Sequence, residues 1–246
     1  MQKLLNLINN SNYLVALTGA GISTLSGIKD FRGKNGINKT VPGQKIFDLG
    51  LFYQNPSFYY EHTRNFIYNL DDKEPNIVHR TLAKWEQEGL LKAVITQNID
   101  LLHQKAGSKN VIEIHGSPAV HHCIKCCKNY TFEDVQDQLR HVTVPHCDAC
   151  GGILKPDITF YGEPLPSKAL DLAVQACERC DCLLVLGSSL VVYPAADLPN
   201  IALDHGAKLI IVNEQPTHLD GRAVLKYEDL GDVFRALNKK TMNDER

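Results

Sequence analysis

Residues able to do chemistry gather where short aliphatic runs end. Leu14-Val15-Ala16-Leu17-Thr18 reads as a buried strand and passes directly into Gly19-Ala20-Gly21-Ile22-Ser23. Gly19 allows a sharp turn, and Gly21, lacking a Cβ, lets a pyrophosphate approach the backbone amides that open the next segment. The pairing predicts a dinucleotide phosphate cradle, although Thr24 stands where the third glycine of the usual fingerprint falls. Asp30, Phe31 and Arg32 follow in a glycine-flanked loop. There a guanidinium can pair with phosphate and an aromatic face can cover a flat ring.

In an open α/β sheet the ligand crevice lies beyond the carboxyl ends of the strands, so residues in those places are candidates for the site. Gln97, Asn98, Ile99 and Asp100 follow the strand ending at Thr96, and they offer amides and a carboxylate suited to a carboxamide or a ribose. The plain alternative is a helix cap at Asn98 with a solvated Asp100. His115 closes the next strand and precedes Gly116, leaving an imidazole at the crevice mouth with the ordinary pKa of a general base. Gly187-Ser188-Ser189 and Asn213-Glu214 end two further strands with hydroxyls, an amide and a carboxylate for phosphate or ribose. Each alone could be a turn, but five polar strand ends in one chain point to a ligand.

A second chemistry sits between residues 116 and 155. Cys123-x-x-Cys126 and Cys147-x-x-Cys150 are two knuckles separated by 20 residues, a spacing that closes four thiolates tetrahedrally around zinc. A filled four-sulfur shell leaves no open position, so the metal is expected to hold the fold and do no chemistry. His121, His122 and His146 lie close by but are not needed as ligands. Cys177, Cys180 and Cys182 fall near a helix-to-strand passage, where a second metal is one reading and ordinary buried thiols the plainer one.

The elements that position these groups follow from periodicity. Helices are expected before residue 11, over 58–69, 77–89, 131–140, 167–178 and 194–205, with a long loop from Gly19 to about Phe47. Strands are expected at 13–17, 93–96, 111–114, 183–186 and 209–212, all short and aliphatic as in a sheet covered on both faces. The tail from Lys239 to Arg246 is polar enough to fray. Alternating strands and helices predict an α/β fold, a doubly wound parallel sheet with a small inserted zinc-binding module.

At 246 residues the chain suits one large domain with a small appendage. A formal net charge of -2 supplies no general drive toward nucleic acid or anionic membrane. The first residues read as an amphipathic helix lacking the apolar core of a signal peptide, and eight cysteines without a secretion signal suit thiols or metal ligands. A cytoplasmic location is expected.

Taken in order, Gly19–Ser23, Asp30-Phe31-Arg32, Thr96–Asp100, His115-Gly116, the paired knuckles, Gly187–Ser189 and Val212-Asn213 resemble the motifs of the sirtuins, the NAD-dependent protein lysine deacylases. The resemblance spans about residues 10 to 236 and is nearest to the bacterial and archaeal deacetylase branch. It implies a Rossmann-type NAD-binding domain over 1–115 and 156–246, a zinc-binding module over 116–155, and the cofactor loop and helical segment 33–75 beside that module. It further implies a reaction in which an acyl-lysine oxygen attacks the nicotinamide ribose, yielding nicotinamide, deacetylated lysine and O-acetyl-ADP-ribose. His115 would act as general base, with Asn98 as its catalytic companion. Asn98 and Asp100 would position ribose and carboxamide, and Phe31 would shield the reactive carbon. Ala20, Thr24, Arg32 and Gln97 would line the NAD site, while Ser188, Ser189 and Asn213 would hold the adenosine half and Leu230 would reach the adenine. Gly19, Gly21, Asp30, Ile99, Gly187 and Glu214 complete the expected cofactor contacts. Ile158, Thr159, Phe160, Tyr161, Gly162 and Glu163 match the segment that lines the acyl-lysine tunnel and pairs with the substrate peptide as an added strand.

Two departures from the family pattern stand out. Lys29 replaces a usual proline before Asp30. A Tyr-x-x-Arg pair, which relatives use to bind succinyl or malonyl carboxylates, is absent, since Tyr60 and Arg64 are four apart. The implied partners are acetyl-lysine proteins or peptides, with no membrane or nucleic acid, and a monomer is expected. Competing readings are a mono-ADP-ribosyltransferase, a deacylase preferring longer acyl groups, a non-catalytic NAD or acyl-lysine reader, and a dehydrogenase. The last lacks the acidic ribose residue expected after the second strand.

Overall fold

The computed structural model describes residues 1–30, 33, 36, 43–65, 67–69 and 72–244, the last five without side chains. Helix α1 (Gln2–Asn9) precedes strand β1 (Leu14–Thr18), which turns into a 3₁₀ segment, Ala20–Ser26. Helices α2 (Gly43–Ile46), α3 (Leu49–Gln54), α4 (Pro56–Thr63) and α5 (Ile77–Gln87) follow. Next come β2 (Leu91–Thr96), α6 (Leu102–Lys105) and β3 (Val111–Glu113). The inserted region holds β4 (Gly116–Cys123), β5 (Asn129–Thr131), α7 (Phe132–Leu139) and β6 (Leu154–Ile158). The chain finishes with α8 (Ser167–Arg179), β7 (Cys182–Leu186), α9 (Leu198–Asp204), β8 (Lys208–Val212), β9 (Leu225–Tyr227) and α10 (Leu230–Asp244).

Six strands form one parallel sheet in the order β3-β2-β1-β7-β8-β9. Every residue of β1 and β7 is buried, and alternation along the strand explains how. Val15 and Leu17 join a cluster with Ala173 and Ala176 of α8 and Leu198 and Ala202 of α9. Leu14 and Ala16 join one on the opposite face with Leu4 and Ile8 of α1, Val78 and Leu82 of α5, and Phe234 of α10. A strand covered on both faces needs apolar side chains at every position, which is why these runs do not alternate in polarity.

Several features depart from the sequence expectations, among them the helix expected over 58–69, which ends at Thr63, and the three strands of the inserted region. The segment after Gly19 is not all loop: its first turns are a 3₁₀ helix ending at Gly27, whose φ of 75° only a glycine adopts at low cost. A sixth strand, β9, was too short and polar to be read from Leu-Lys-Tyr alone. The polar tail is assigned helix as far as Asp244, continuing α10, whose Val233, Phe234 and Leu237 are buried.

The strand order reverses direction between β1 and β7, and at that point the two following turns touch. Gly21 N–H donates to Gly187 O at 2.9 Å and Gly19 N–H to Leu186 O at 3.0 Å. A Cβ on Gly19 would lie 2.8 Å from Gly187 O, and one on Gly21 would lie 2.8 Å from Gly187 Cα. Gly187 itself has φ of 62°, and a Cβ there would lie 2.5 Å from Ile22 N. The sequence assigns the missing Cβ of Gly21 to phosphate approach; here its first use is to let two backbone turns meet.

The second sheet, β5-β4-β6, is antiparallel and small. Its apolar layer mixes Tyr130, Phe132, Val135 and Leu154 with Phe52, Tyr59, Tyr60 and Tyr68 from the helical region before α5. At its far end Cys123, Cys126, Cys147 and Cys150 bring four sulfurs within 4.8 Å of one another. The Cys123–Cys150 and Cys126–Cys147 Sγ separations are 3.4 and 3.6 Å. Zinc–sulfur bonds in a tetrahedron set sulfurs about 3.8 Å apart, so the cluster fits one zinc. Tyr130 Oη donates to Cys147 Sγ at 3.0 Å and Lys125 N–H to Cys123 Sγ at 3.4 Å, which suits thiolate ligands. His121, His122 and His146 bond elsewhere, to Tyr68 Oη, Asp157 and the Val144 carbonyl. Among the described residues Cys177, Cys180 and Cys182 join no such cluster and are buried thiols.

Two outcomes follow from this packing. Gly187→Ala combines a left-handed backbone with a clash against backbone atoms that cannot rotate away, and is expected to lower the Tm by about 5–10 °C in thermal unfolding. Metal analysis of the purified chain should find one zinc, and Cys147→Ser or a strong chelator should release it together with a loss of secondary structure in the small sheet by circular dichroism.

Candidate active site

A cleft of about 1050 Å³ opens at the carboxyl ends of β1, β2, β7 and β8 and extends over the strand segment that follows β6. Every described residue named above as a cofactor or substrate contact lines it: Gly19, Ala20, Gly21, Thr24, Asp30, Gln97, Asn98, Ile99, Asp100, His115, Gly187, Ser188, Ser189, Asn213, Glu214 and Leu230, with Ile158 through Glu163 along one wall. Phe31 and Arg32 lie outside the described residues.

The loop after β2 is the densest part of the site. Asn98 is 8% exposed and lines the cleft; its Nδ2 donates to Gly19 O and Ser23 Oγ, both at 3.1 Å. Asn98 is therefore not a helix cap. Asp100 is also buried, accepting from Ser23 Oγ at 2.5 Å and from Leu102 N–H at 3.0 Å. Burial raises its pKa above the ordinary carboxylate value, and those hydrogen bonds oppose the rise. The solvated Asp100 of the plain alternative is thus excluded. Gln97 carries no cap either: its Nε2 donates to Ser188 Oγ at 2.8 Å, tying the β2 loop to the β7 loop.

His115 follows β3, and its Nδ1–H donates to the Gln97 carbonyl at 3.0 Å. That bond puts the proton on Nδ1 and leaves the Nε2 lone pair available. Burial lowers the His115 pKa from 6.5, with the Gln97 carbonyl pulling the other way. The ring is neutral at neutral pH and can accept a proton. Gly116, next in the chain, has φ of 73°, and a Cβ there would sit 2.0 Å from Asp157 O, so only glycine lets β4 leave His115 at this angle.

The wall opposite is held by a buried ion pair. Lys155, 2% exposed, donates from Nζ to Glu163 Oε2 at 2.9 Å and to the Ile158 carbonyl at 3.0 Å, and lies 4.2 Å from the Phe160 ring centre. Glu163 Oε2 also accepts the Phe160 N–H at 2.7 Å. Glu163 thus staples the segment 158–163 into shape while that segment lines the cleft. Asp30 does similar work in the cofactor loop, with both carboxylate oxygens 3.0 Å from the Gly33 nitrogen. Ser188 and Asn213 are buried, with Asn213 Nδ2 donating to the Gln215 carbonyl at 2.8 Å. Ser23, Lys155 and Phe47 were missed as contributors. Ser23 could have been found as the hydroxyl ending Gly-Ala-Gly-Ile-Ser, whereas nothing local marks the other two.

The residues fit a dinucleotide: a turn stripped of side chains, an amide and a carboxyl at the cleft floor, and hydroxyls across the β7 loop. The zinc cluster stands apart from the cleft and fills its own four-ligand shell, so it is suited to structure alone.

Comparison with known proteins agrees with this arrangement. The model of the Sir2 family matches residues 19–194. An NAD-dependent protein deacetylase of Thermotoga maritima is 50% identical over 227 residues, covering 92% of each chain. The NAD-dependent protein deacylase 2 of Archaeoglobus fulgidus is 42% identical over 224 residues, covering 89% of this chain and 87% of its own. Among solved structures, a Sir2 complex with deacetylated p53 peptide and 3'-O-acetyl ADP ribose superposes with a TM-score of 0.93 at 48% identity over 98% of both chains. A Sir2 complex with p53 peptide and NAD+ gives 0.91 at 46% identity over the same share. With a family match across the sheet, the cleft and the knuckles, this chain belongs to the Sir2 family.

Proposed function

We propose that the cleft removes acetyl groups from protein lysines at the expense of NAD, with His115 as the general base. The observation that carries the reading is the hydrogen bond from His115 Nδ1 to the Gln97 carbonyl, which makes Nε2 an acceptor within a cleft also lined by Asn98 and the segment 158–163. NAD supplies an activated ribose carbon and, on losing nicotinamide, the ADP-ribose that leaves carrying the acetyl group. Gly19, Ala20, Gly21 and Thr24 hold its phosphates, while Ser188, Ser189 and Asn213 hold the adenosine half, helped by Leu230 and Glu214. Asp30, Phe31 and Arg32 cover the reacting end. Asn98, Ile99 and Asp100 orient the ribose and the carboxamide, and the proton taken from a ribose hydroxyl moves to His115 Nε2. Relatives named as deacetylases and neighbours bearing acetylated and propionylated peptides support this chemistry.

The substrate enters as an extended chain. Ile158, Thr159, Phe160, Tyr161 and Gly162 pair with the peptide backbone and line the acyl-lysine tunnel, with Glu163 holding their shape. A neutral acyl-lysine stem suits that apolar wall, whereas a charged lysine is expelled by its desolvation cost. Tyr60 and Arg64 give the acyl group no carboxylate partner. Tyr60 Oη is buried and donates to the Leu154 carbonyl at 2.5 Å, and Arg64 donates to the Val142 carbonyl at 2.9 Å. Both bonds go to the inserted region, to β6 and to the loop after α7, which supports acetyl and other neutral acyl groups over succinyl or malonyl. The domain division that accompanies the reading is an NAD-binding domain over 1–115 and 156–246 and a zinc module over 116–155.

Among the described residues no helix is long and apolar enough to cross a membrane. Eight unpaired cysteines suit a reducing compartment, and a net charge of -2 supplies no drive toward nucleic acid, so the reading extends to a monomer acting on proteins in the cytoplasm.

Incubating the chain with NAD and an acetyl-lysine peptide should release nicotinamide and deacetylated peptide in equal amounts, and His115→Ala should cut deacetylation by about 100-fold or more. Nicotinamide without deacetylated peptide, or neither product from the unaltered chain, would sink the reading. Protonation at Nε2 disables the base, so kcat/KM should fall as pH drops through the His115 pKa. Because burial lowers that pKa, the acidic limb should have its midpoint below the ordinary imidazole value of 6.5. A midpoint above 6.5 would assign the limb to another group.

A further inference from the structure

Two buried histidines lie beneath the cleft and take no part in the chemistry above. His79 of α5 and His103 of α6 are 0% and 1% exposed, with ring centres 4.9 Å apart and planes at 62°. Among the described residues each has one nitrogen without a hydrogen-bond partner, Nε2 in His79 and Nδ1 in His103. Burial, reinforced by Arg80 for His79 and by His79 for His103, depresses their pKa values to about 4 and about 3. Both rings are neutral at neutral pH, and each carries a single N–H.

The neighbours locate those protons. Asn76 N–H donates to His79 Nδ1 at 3.4 Å, so the His79 proton is on Nε2. His103 Nε2 lies 3.0 Å from Thr18 Oγ1, whose one hydrogen has Thr96 Oγ1 at 2.9 Å and the Ile95 carbonyl at 3.5 Å as acceptors. His103 Nε2 is therefore the donor and its Nδ1 the bare acceptor. The two unpartnered nitrogens are thus complementary, one donor and one acceptor on adjoining rings, and an unmet buried N–H is strongly disfavoured.

Both ends of this pair reach the cleft. Asn76 Nδ2 donates to the Ile22 carbonyl and to Ser26 Oγ, each at 2.8 Å, gripping the 3₁₀ segment after the glycine turn. Thr96 Oγ1 accepts the Asn98 N–H at 3.1 Å. We propose that His79 Nε2–H meets His103 Nδ1, directly or through one buried water, closing an interior chain from Asn76 through Thr18 and Thr96 to the backbone of Asn98. His79 and His103 are positioning residues that set Asn98 against the 3₁₀ segment, and so set NAD affinity; this rests on the reading of the cleft as an NAD site.

The test compares NAD binding by calorimetry and steady-state kinetics for the unaltered chain, His79→Leu, His103→Leu, their double variant and His103→Gln. Leucine fills the space without polar atoms, whereas glutamine offers an amide N–H in place of Nε2 and an oxygen in place of Nδ1. Each leucine variant should raise the NAD Kd and KM about tenfold, as for one lost hydrogen bond, with the peptide KM within about twofold of the original. The double variant should be no worse than the poorer single one, and His103→Gln should recover most of the loss. Unchanged NAD affinity in folded His79→Leu, which leaves the Thr18 bond intact, overturns the chain even where His103→Leu does not fold. Equal losses in the glutamine and leucine variants, or additive effects of the two singles, also overturn it. Failure of the unaltered chain to bind NAD defeats the site reading instead.

Discussion

The close approach of two backbone turns, the one after β1 and the one after β7, is the constraint on which the site depends. At the point where strand order reverses, Gly19, Gly21 and Gly187 leave no side chain between them, and their amides and carbonyls bond directly. That contact sets the height of the 3₁₀ segment above the sheet. It thereby fixes where Ser23 meets Asp100 and where the Gly19 carbonyl meets Asn98. A single methyl group here would move several polar contacts at once, because backbone cannot step aside as a side-chain tip can.

Around that contact the polar groups are satisfied mainly by backbone. Asn98 bonds a carbonyl, His115 bonds a carbonyl, Asp100 accepts an amide, and Lys155 reaches a carbonyl besides Glu163. Ser23, Ser188 and Glu163 add side-chain partners to these backbone bonds, and the geometry follows from the strands that carry the loops. Gln97 illustrates the economy. Its carbonyl sets the tautomer of His115, its amide N–H bonds the Thr18 carbonyl, and its side chain reaches Ser188.

Much of this was legible before any coordinates, for identifiable reasons. Aliphatic runs covered on both faces mark β1, β2, β7 and β8, and strand ends carry the ligand crevice in such sheets, so polar residues there announce themselves. The cysteine knuckles are legible because ligand spacing is set by metal geometry. What stayed hidden depends on contacts between distant segments. Nothing in Leu225-Lys226-Tyr227 marks an edge strand until β8 lies beside it. Lys155 reads as a surface lysine until Glu163 folds back over it. The glycines were legible as a turn, but their mutual packing was not, since Gly187 is distant in sequence from Gly19 and Gly21.

The four-cysteine cluster and His115 are joined more tightly than their distance in the chain suggests. β4 begins at Gly116, immediately after His115, and ends at the ligand Cys123; β6 pairs with it and ends at Ile158, where the substrate wall begins. Thr159 N–H then donates to the His115 carbonyl at 2.9 Å. His115 and the cleft-lining segment therefore leave the paired ends of β4 and β6 side by side, with the four cysteines at the far end of that sheet. A zinc held by those four thiolates would bear on the cleft without doing chemistry there, because a loose sheet would let the segment 158–163 and His115 drift apart, and the proton transfer proposed for His115 would tolerate little error in distance. The structural metal is thus part of how the active site keeps its geometry.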